Sequence, residues 1–164
     1  MKRKVKMAAG FLLLLILDQI TKWWAVAHLK PKGPIPLLPD VLELYYVENR
    51  GAAFGILQNR QWIFLAIGVV VLLALIYLIP KIPDEKRFFW LRLCFYFVGA
   101  GAVGNMIDRF TRRFVVDFIY FKLIDFPVFN VADIYVTCAA AAMIFLILFY
   151  YKDEDFERIF PGKR

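Results

Sequence analysis

The sequence predicts an all-α polytopic membrane protein, with four transmembrane helices and a small extracytoplasmic β-sheet between the first and second. Three observations predict it. Hydrophobic residues make up 62% of the 164-residue chain and aromatics 18%, well above the norm for a soluble domain. Apolar stretches recur four times at about the 20 residues that a helix needs to cross a hydrocarbon core. The excess of positive charge, +7, lies beside those stretches rather than along a soluble face, which argues against a nucleic-acid partner.

The first span covers residues 7–29 and is interrupted only by Asp18, Gln19 and Lys22. Lys2, Arg3, Lys4 and Lys6 before a leucine-rich core imitate a signal peptide. No small-x-small cleavage site follows, however, and the apolar pattern continues through Trp23, Trp24 and Val26, so a retained helix is expected. The segment 30–61 opens with the breakers Pro31, Gly33, Pro34, Pro36 and Pro39. It then offers a strand at Val41 to Val47, a turn at Glu48-Asn49-Arg50-Gly51 and a second strand at Ala52 to Leu57.

The second span, 62–79, is uncharged, and the short polar loop 80–87 joins it to the third, 88–107, which holds Arg92 and Asn105. Segment 109–133 mixes charges with a series of aromatics from Phe110 to Phe129, a composition suited to the membrane interface. The fourth span, 134–151, is uncharged, and a charged tail follows from Lys152. Residues 1–164 thus form a single membrane domain. A modest positive-inside bias places both termini and the 80–87 loop in the cytoplasm, with 30–61 and 109–133 outside, although Arg109, Arg112 and Arg113 then face outward.

Elimination narrows the chemistry. The chain contains no serine and one histidine, His28, which excludes serine hydrolases and leaves no zinc-protease spacing. His28 reads as an interfacial polar residue, and Cys94 and Cys138 as small hydrophobes within helices. Five aspartates remain in or beside the membrane, where ionisable groups are costly: Asp18, Asp108, Asp117, Asp125 and Asp133.

Asp18 and Lys22 are four apart on one helix and read as an ion pair. Asp108 shares a helical face with Asn105, and the adjacent Arg109 would keep its carboxylate ionised and remain able to bind substrate carbonyls. Asp117 stands among strand-forming residues, and Asp133 stands where the fourth span begins, as a helix cap would. Taken together, these two carboxylates lie in segments that can converge, with Asp108 a rival partner for Asp133. A close pair shares one proton and so supplies an acid and a base without a metal.

Five blocks in order carry a resemblance. They are Asp18-Gln19-Ile20-Thr21-Lys22, Asn49-Arg50-Gly51-Ala52-Ala53-Phe54-Gly55, Gly104-Asn105-Met106-Ile107-Asp108-Arg109, Val115-Val116-Asp117-Phe118, and Phe126-Pro127-Val128-Phe129-Asn130-Val131-Ala132-Asp133. In these the chain resembles the lipoprotein signal peptidases, or signal peptidase II, over most of its length. The resemblance implies an aspartic endopeptidase of the bacterial cytoplasmic membrane that cleaves diacylglyceryl-modified prolipoproteins before the lipidated cysteine. It implies Asp117 and Asp133 as catalytic, Asn49, Asn105, Arg109 and Asn130 as substrate-binding, and Asp18, Lys22 and Asp108 as support. Phe54 and its loop would close over the site. No cofactor or metal is expected, the partners are substrate and membrane lipids, and a monomer is expected. Asp125 and the 121–126 connection receive no role.

Two other classes compete. A small transporter or proton channel would use Asp18, Lys22, Asp108 and Asp133 as a relay, but no inverted repeat or broken-helix pair accompanies them. An anchoring protein would use its charges only to fix helix packing.

Overall fold

The computed structural model describes residues 2–51 and 60–162, with side chains from residue 7 onward. The expected strand at Ala52 to Leu57 and the Phe54 loop fall outside the described residues. Helix α1 runs Lys2–Lys32, α2 Gln61–Leu78, α3 Phe89–Arg112 and α4 Val131–Phe145, the last continued by a π turn over Leu146–Tyr150. Four stretches, Met7–Lys32, Gln61–Lys81, Lys86–Arg112 and Val131–Tyr150, are long and apolar enough to cross a membrane. Exposed Leu13, Ile20, Val70, Ile76 and Leu148 show the apolar outer surface that lipid would solvate.

Helix α3 is the hub, packing on α1, α2 and α4. Small residues make that possible. A Cβ on Gly101 would lie 2.5 Å from the Ala132 carbonyl oxygen of α4, and one on Gly104 would collide with the Asp18 carboxylate of α1. The inner stripe of α1 is Asp18, Lys22, Ala25 and Leu29, all buried at helical spacing, so its two charges face protein rather than lipid.

Three strands form one antiparallel sheet in the order β1, β2, β3: Ile35–Leu38, Leu42–Asn49 and Val115–Tyr120. The description all-α is therefore too simple, and the sheet is not confined to the connection between the first two helices. Its third strand comes from beyond α3. Strand β1 forms within the proline-rich stretch expected to be loop, and Pro36 is tolerated there because β1 is an edge strand. The sheet packs on the last turns of α1, where Ala25, Leu29, Val116 and Phe118 make a buried cluster with Trp24, Leu44 and Tyr46 around it.

Helix α3 runs five residues past the expected end of the third span, to Arg112, and stops at Arg113 in the left-handed conformation. The apolar count fades at Asn105, Asp108 and Arg109 because these polar side chains meet partners in the protein interior. At the opposite end of the bundle, the charged tail folds as a short helix, α5, Asp153–Ile159. Its Ile159 joins a core with Phe88, Leu91 and Tyr151. Arg87 donates to both Asp155 oxygens at 2.6 Å and holds that carboxyl at about 2, well below the usual range, while Arg158 pairs with Glu85.

Candidate active site

At the end of the bundle that carries the sheet, Asp18, Lys22 and Asp108 are fully buried. The Lys22 ammonium lies 3.0 Å from Asp18 Oδ2 and 3.2 Å from Asp108 Oδ2, and donates to Asn105 Oδ1 at 2.8 Å. Its three protons thus have three acceptors.

Each of the two carboxylates has a second task. Asp18 Oδ1 accepts the Ala132 backbone N–H at 3.0 Å, one of the N–H groups that the start of α4 leaves without a helical partner. Asp108 Oδ2 accepts the Val116 N–H of β3 at 3.1 Å. Ala132 directly precedes Asp133, and Val116 directly precedes Asp117. One buried ion cluster therefore fixes the backbone beside both residues.

Asp117 is buried on β3 with its oxygens facing two amides. Asn49 Nδ2 donates to Oδ2 at 2.7 Å, and Asn130 Nδ2 donates to Oδ1 at 2.6 Å. Burial, and next the nearby Asp133 carboxylate, push Asp117 up to about 7 against the opposing pull of those amides. Asp133 occupies the first turn of α4. Its Oδ2 accepts the Asn130 N–H at 3.1 Å and its own N–H donates to Asn130 Oδ1 at 3.0 Å, a reciprocal capping box. Asn105 Nδ2 completes the set, donating to Asp133 Oδ1 at 2.8 Å.

Asp117 and Asp133 line one cleft of about 520 Å³. Asn49, Gly51 and Arg109 form its polar side, and Phe64, Phe126, Pro127, Val128, Phe129, Ile134 and Cys138 its apolar side. A groove of about 280 Å³ shares Phe64, Arg109, Asp133 and Thr137 with it and passes between α2, α3 and α4 along Ile67, Val71, Val98 and Val136. Such a site offers two carboxylates at a polar end and an apolar channel leading away from them.

The structure separates residues that adjacency in sequence suggested belong together. Asp108 takes its cations from Lys22 and, at 3.8 Å, Arg112; its chain neighbour Arg109 turns to the cleft, donates to the Gly51 carbonyl at 3.4 Å and stacks over Phe64 at 4.9 Å. Asn130 is fully buried, its side-chain atoms bonded to Asp117, Asp133 and Asn105, and it lies behind the residues that line the cleft. Asn105 has both amide atoms engaged and faces the groove. His28 lies apart, stacked on Trp24. Asp125 accepts a hydrogen bond from the Tyr120 hydroxyl. Cys94 is buried, whereas Cys138 is exposed on the cleft wall. Phe64 was not singled out from the sequence, since one aromatic within an uninterrupted apolar run carries no signal.

Comparisons with known proteins identify the family. A family model described as signal peptidase (SPase) II matches residues 10–149. Lipoprotein signal peptidases of Streptococcus pyogenes serotypes M6 and M5 are 37% identical over 147 residues, covering 90% of this chain and 93% of each relative. Two solved structures of bacterial membrane enzymes, obtained by the in meso method, share the fold. One superposes with a TM-score of 0.78 at 32% identity over 87% of both chains; the other gives 0.76 at 31% over 89% of this chain and 94% of that one. The chain belongs to the signal peptidase II family, the multi-pass bacterial membrane proteases that process lipoproteins.

Proposed function

We propose that this chain is an intramembrane aspartic endopeptidase that removes the signal peptide from diacylglyceryl-modified prolipoproteins, cutting before the lipidated cysteine, with Asp117 and Asp133 as the reacting pair. The observation that carries this reading is the joining of those two carboxylates across one cleft through the Asn130 amide and backbone. Like charges held close do not both ionise readily, so the pair holds one proton between them. One member takes a proton from water as it attacks the scissile carbonyl. The other gives its proton to the carbonyl oxygen, and the transfers reverse as the amine leaves.

The surroundings suit such a substrate. Acyl chains and a signal helix prefer the apolar groove and the surrounding lipid, which leaves the peptide bond at the polar end of the cleft and makes its meeting with the carboxylates effectively intramolecular. Arg109 and Asn49 reach the cleft as donors for substrate carbonyls, while Lys22, Asp18, Asp108, Asn105 and Asn130 hold the pair in place. In this reading both termini are cytoplasmic, and the sheet and cleft lie at the outer face of the membrane. The working unit is a monomer.

The test is a gel-shift assay in detergent with a diacylglyceryl-modified prolipoprotein, comparing the parent with Asp117→Asn and Asp133→Asn. Cleavage by the parent alone supports the proposal. A folded parent that leaves the substrate intact, in the presence of lipid, overturns it.

A further inference from the structure

The amides around the pair have no freedom to flip. Asn105 faces the Lys22 ammonium, which is a donor only, so the atom presented to it is oxygen and the NH₂ points to Asp133. Asn130 faces the Asp133 backbone N–H, so its oxygen lies there and its NH₂ points to Asp117. Asn49 faces the Gly51 N–H in the same way, and its NH₂ also points to Asp117. Each aspartate accordingly receives two fixed N–H donors, one on each oxygen. Counting donors does not distinguish them.

Three other features do. Asp133 sits in the first turn of α4, where the helix dipole favours negative charge, whereas Asp117 sits on a strand with no comparable field. The amide that serves Asp133 is polarised by the Lys22 ammonium on its oxygen, which strengthens its N–H as a donor; the Asn49 amide of Asp117 has only a neutral N–H behind it. Asp117 is 2% exposed on its strand, while Asp133 is only partly buried and, unlike Asp117, lines both the cleft and the adjoining groove, which Arg109 also lines. All three favour charge on the same residue.

We infer that the pair is polarised before substrate arrives: Asp117 carries the shared proton, and Asp133 is the carboxylate that accepts the proton of the attacking water. This rests on the aspartic reading above and deepens it. In the forward step the water O–H breaks, its proton goes to Asp133 and its oxygen bonds to the scissile carbon. Asp117 gives its proton to the carbonyl oxygen, forming a neutral gem-diol. In the second step Asp133 returns its proton to the amide nitrogen, the C–N bond breaks, and Asp117 recovers its proton from the diol as the new carboxyl forms. Both residues end as they began.

Lys22 thereby becomes a positioning residue at one remove, acting on Asp133 through Asn105. The test uses infrared spectroscopy of the full-length protein in detergent, which reads the carboxylic-acid C=O stretch whether or not any lipoprotein is cut. A failure of the peptidase reading therefore shows in the gel and a failure of the polarity in the spectrum. In scans from pH about 4 to 8 the parent should show a buried-acid band that Asp117→Asn removes and that Asp133→Asn retains, titrating at lower pH because the neighbouring charge is gone. Loss of the band in Asp133→Asn with retention in Asp117→Asn, equal loss in both, or no band in the parent would each overturn the assignment.

Two variants that keep both aspartates guard against misfolding of those. Asn49→Ala removes a donor that favours the charged form of Asp117 and should move the band's titration up by roughly half a unit to one unit. Asn105→Ala, whose lost donor faces Asp133, should leave that titration in place. The opposite response, with Asn105→Ala moving the band and Asn49→Ala leaving it, would put the proton on Asp133.

Discussion

Replacing Lys22 with methionine tests the support of the site most directly. The substitution keeps an unbranched chain of similar length but takes away the ammonium that lies 3.0 and 3.2 Å from two carboxylates with no exposure to solvent. Arg112, 3.8 Å from Asp108, remains on one side, and the Ala132 and Val116 N–H groups still donate, so one of the two charges retains partial support. The other must pick up a proton. Holding a carboxyl of ordinary acidity, about 3.9, protonated at pH 7 costs about 3 units at 1.36 kcal/mol each, or about 4 kcal/mol. That agrees with the roughly 3–5 kcal/mol found when one partner of a buried pair is removed. For a chain of this size the loss corresponds to a fall in melting temperature on the order of 10 °C, followed by intrinsic tryptophan fluorescence in detergent. Because the cost is protonation, the deficit relative to the parent should shrink as pH falls to about 4, and adding Asp18→Asn should recover part of it. A deficit below about 1 kcal/mol, a deficit independent of pH, or a deeper loss on adding Asp18→Asn would refute the reasoning.

Two further outcomes follow from the same geometry. Asp117 is raised to about 7 in the folded protein and lies near 3.9 when unfolded, so between those values the native state holds a proton that the unfolded chain lacks. Its contribution to stability is therefore greatest below pH 4, declines as pH rises through 7 and is level above; thermal scans across that range should show the decline in the parent and lose most of it in Asp117→Asn. Gly104→Ala drives a methyl group into the Asp18 carboxylate at the α1–α3 crossing and should cost about 1–3 kcal/mol in thermal stability, whereas Gly10→Ala, with open space around it, should be neutral or slightly stabilising.

Much of this site is legible in the sequence because lipid makes charge conspicuous. Asp18 and Lys22 stand out in an apolar run, their four-residue spacing implies contact, and the structure places them 3.0 Å apart. The capping role of Asp133 follows from its place ahead of the last span, and the strand character of Val115 to Ile119 from its β-branched and aromatic residues. What stays hidden is long-range. Nothing near Asp18 announces that its carboxylate caps a helix 114 residues further on, and nothing in the adjacency of Asp108 and Arg109 reveals that helix geometry turns them to different partners. Edge strand β1 is masked by Pro36, whose missing donor disqualifies a central strand but not an edge. Helix α5 is short and charged, and its docking depends on the Arg87 to Asp155 pair, 68 residues apart.

The buried cluster also explains why a membrane enzyme of this kind keeps three charges where hydrophobic residues would be cheaper to bury. Asp117 and Asp133 come from a strand and from a helix terminus, elements with different packing and different freedom to drift. On the proposed aspartic reading the pair shares a proton and works over a narrow range of separations, since a misplacement of about 1 Å in reacting groups is enough to cost on the order of 100-fold in rate. A methyl contact slides, but a hydrogen bond from a buried carboxylate to a backbone N–H does not, because breaking it strands both groups away from water. Asp18 and Asp108 make that bond one residue ahead of each member of the pair, and Lys22 ties the two together. The separation of the two aspartates is thus set by α1 and α3 as well as by the Asn130 bridge between the elements that carry them. Damage to Lys22 should consequently appear in turnover before it appears in substrate affinity.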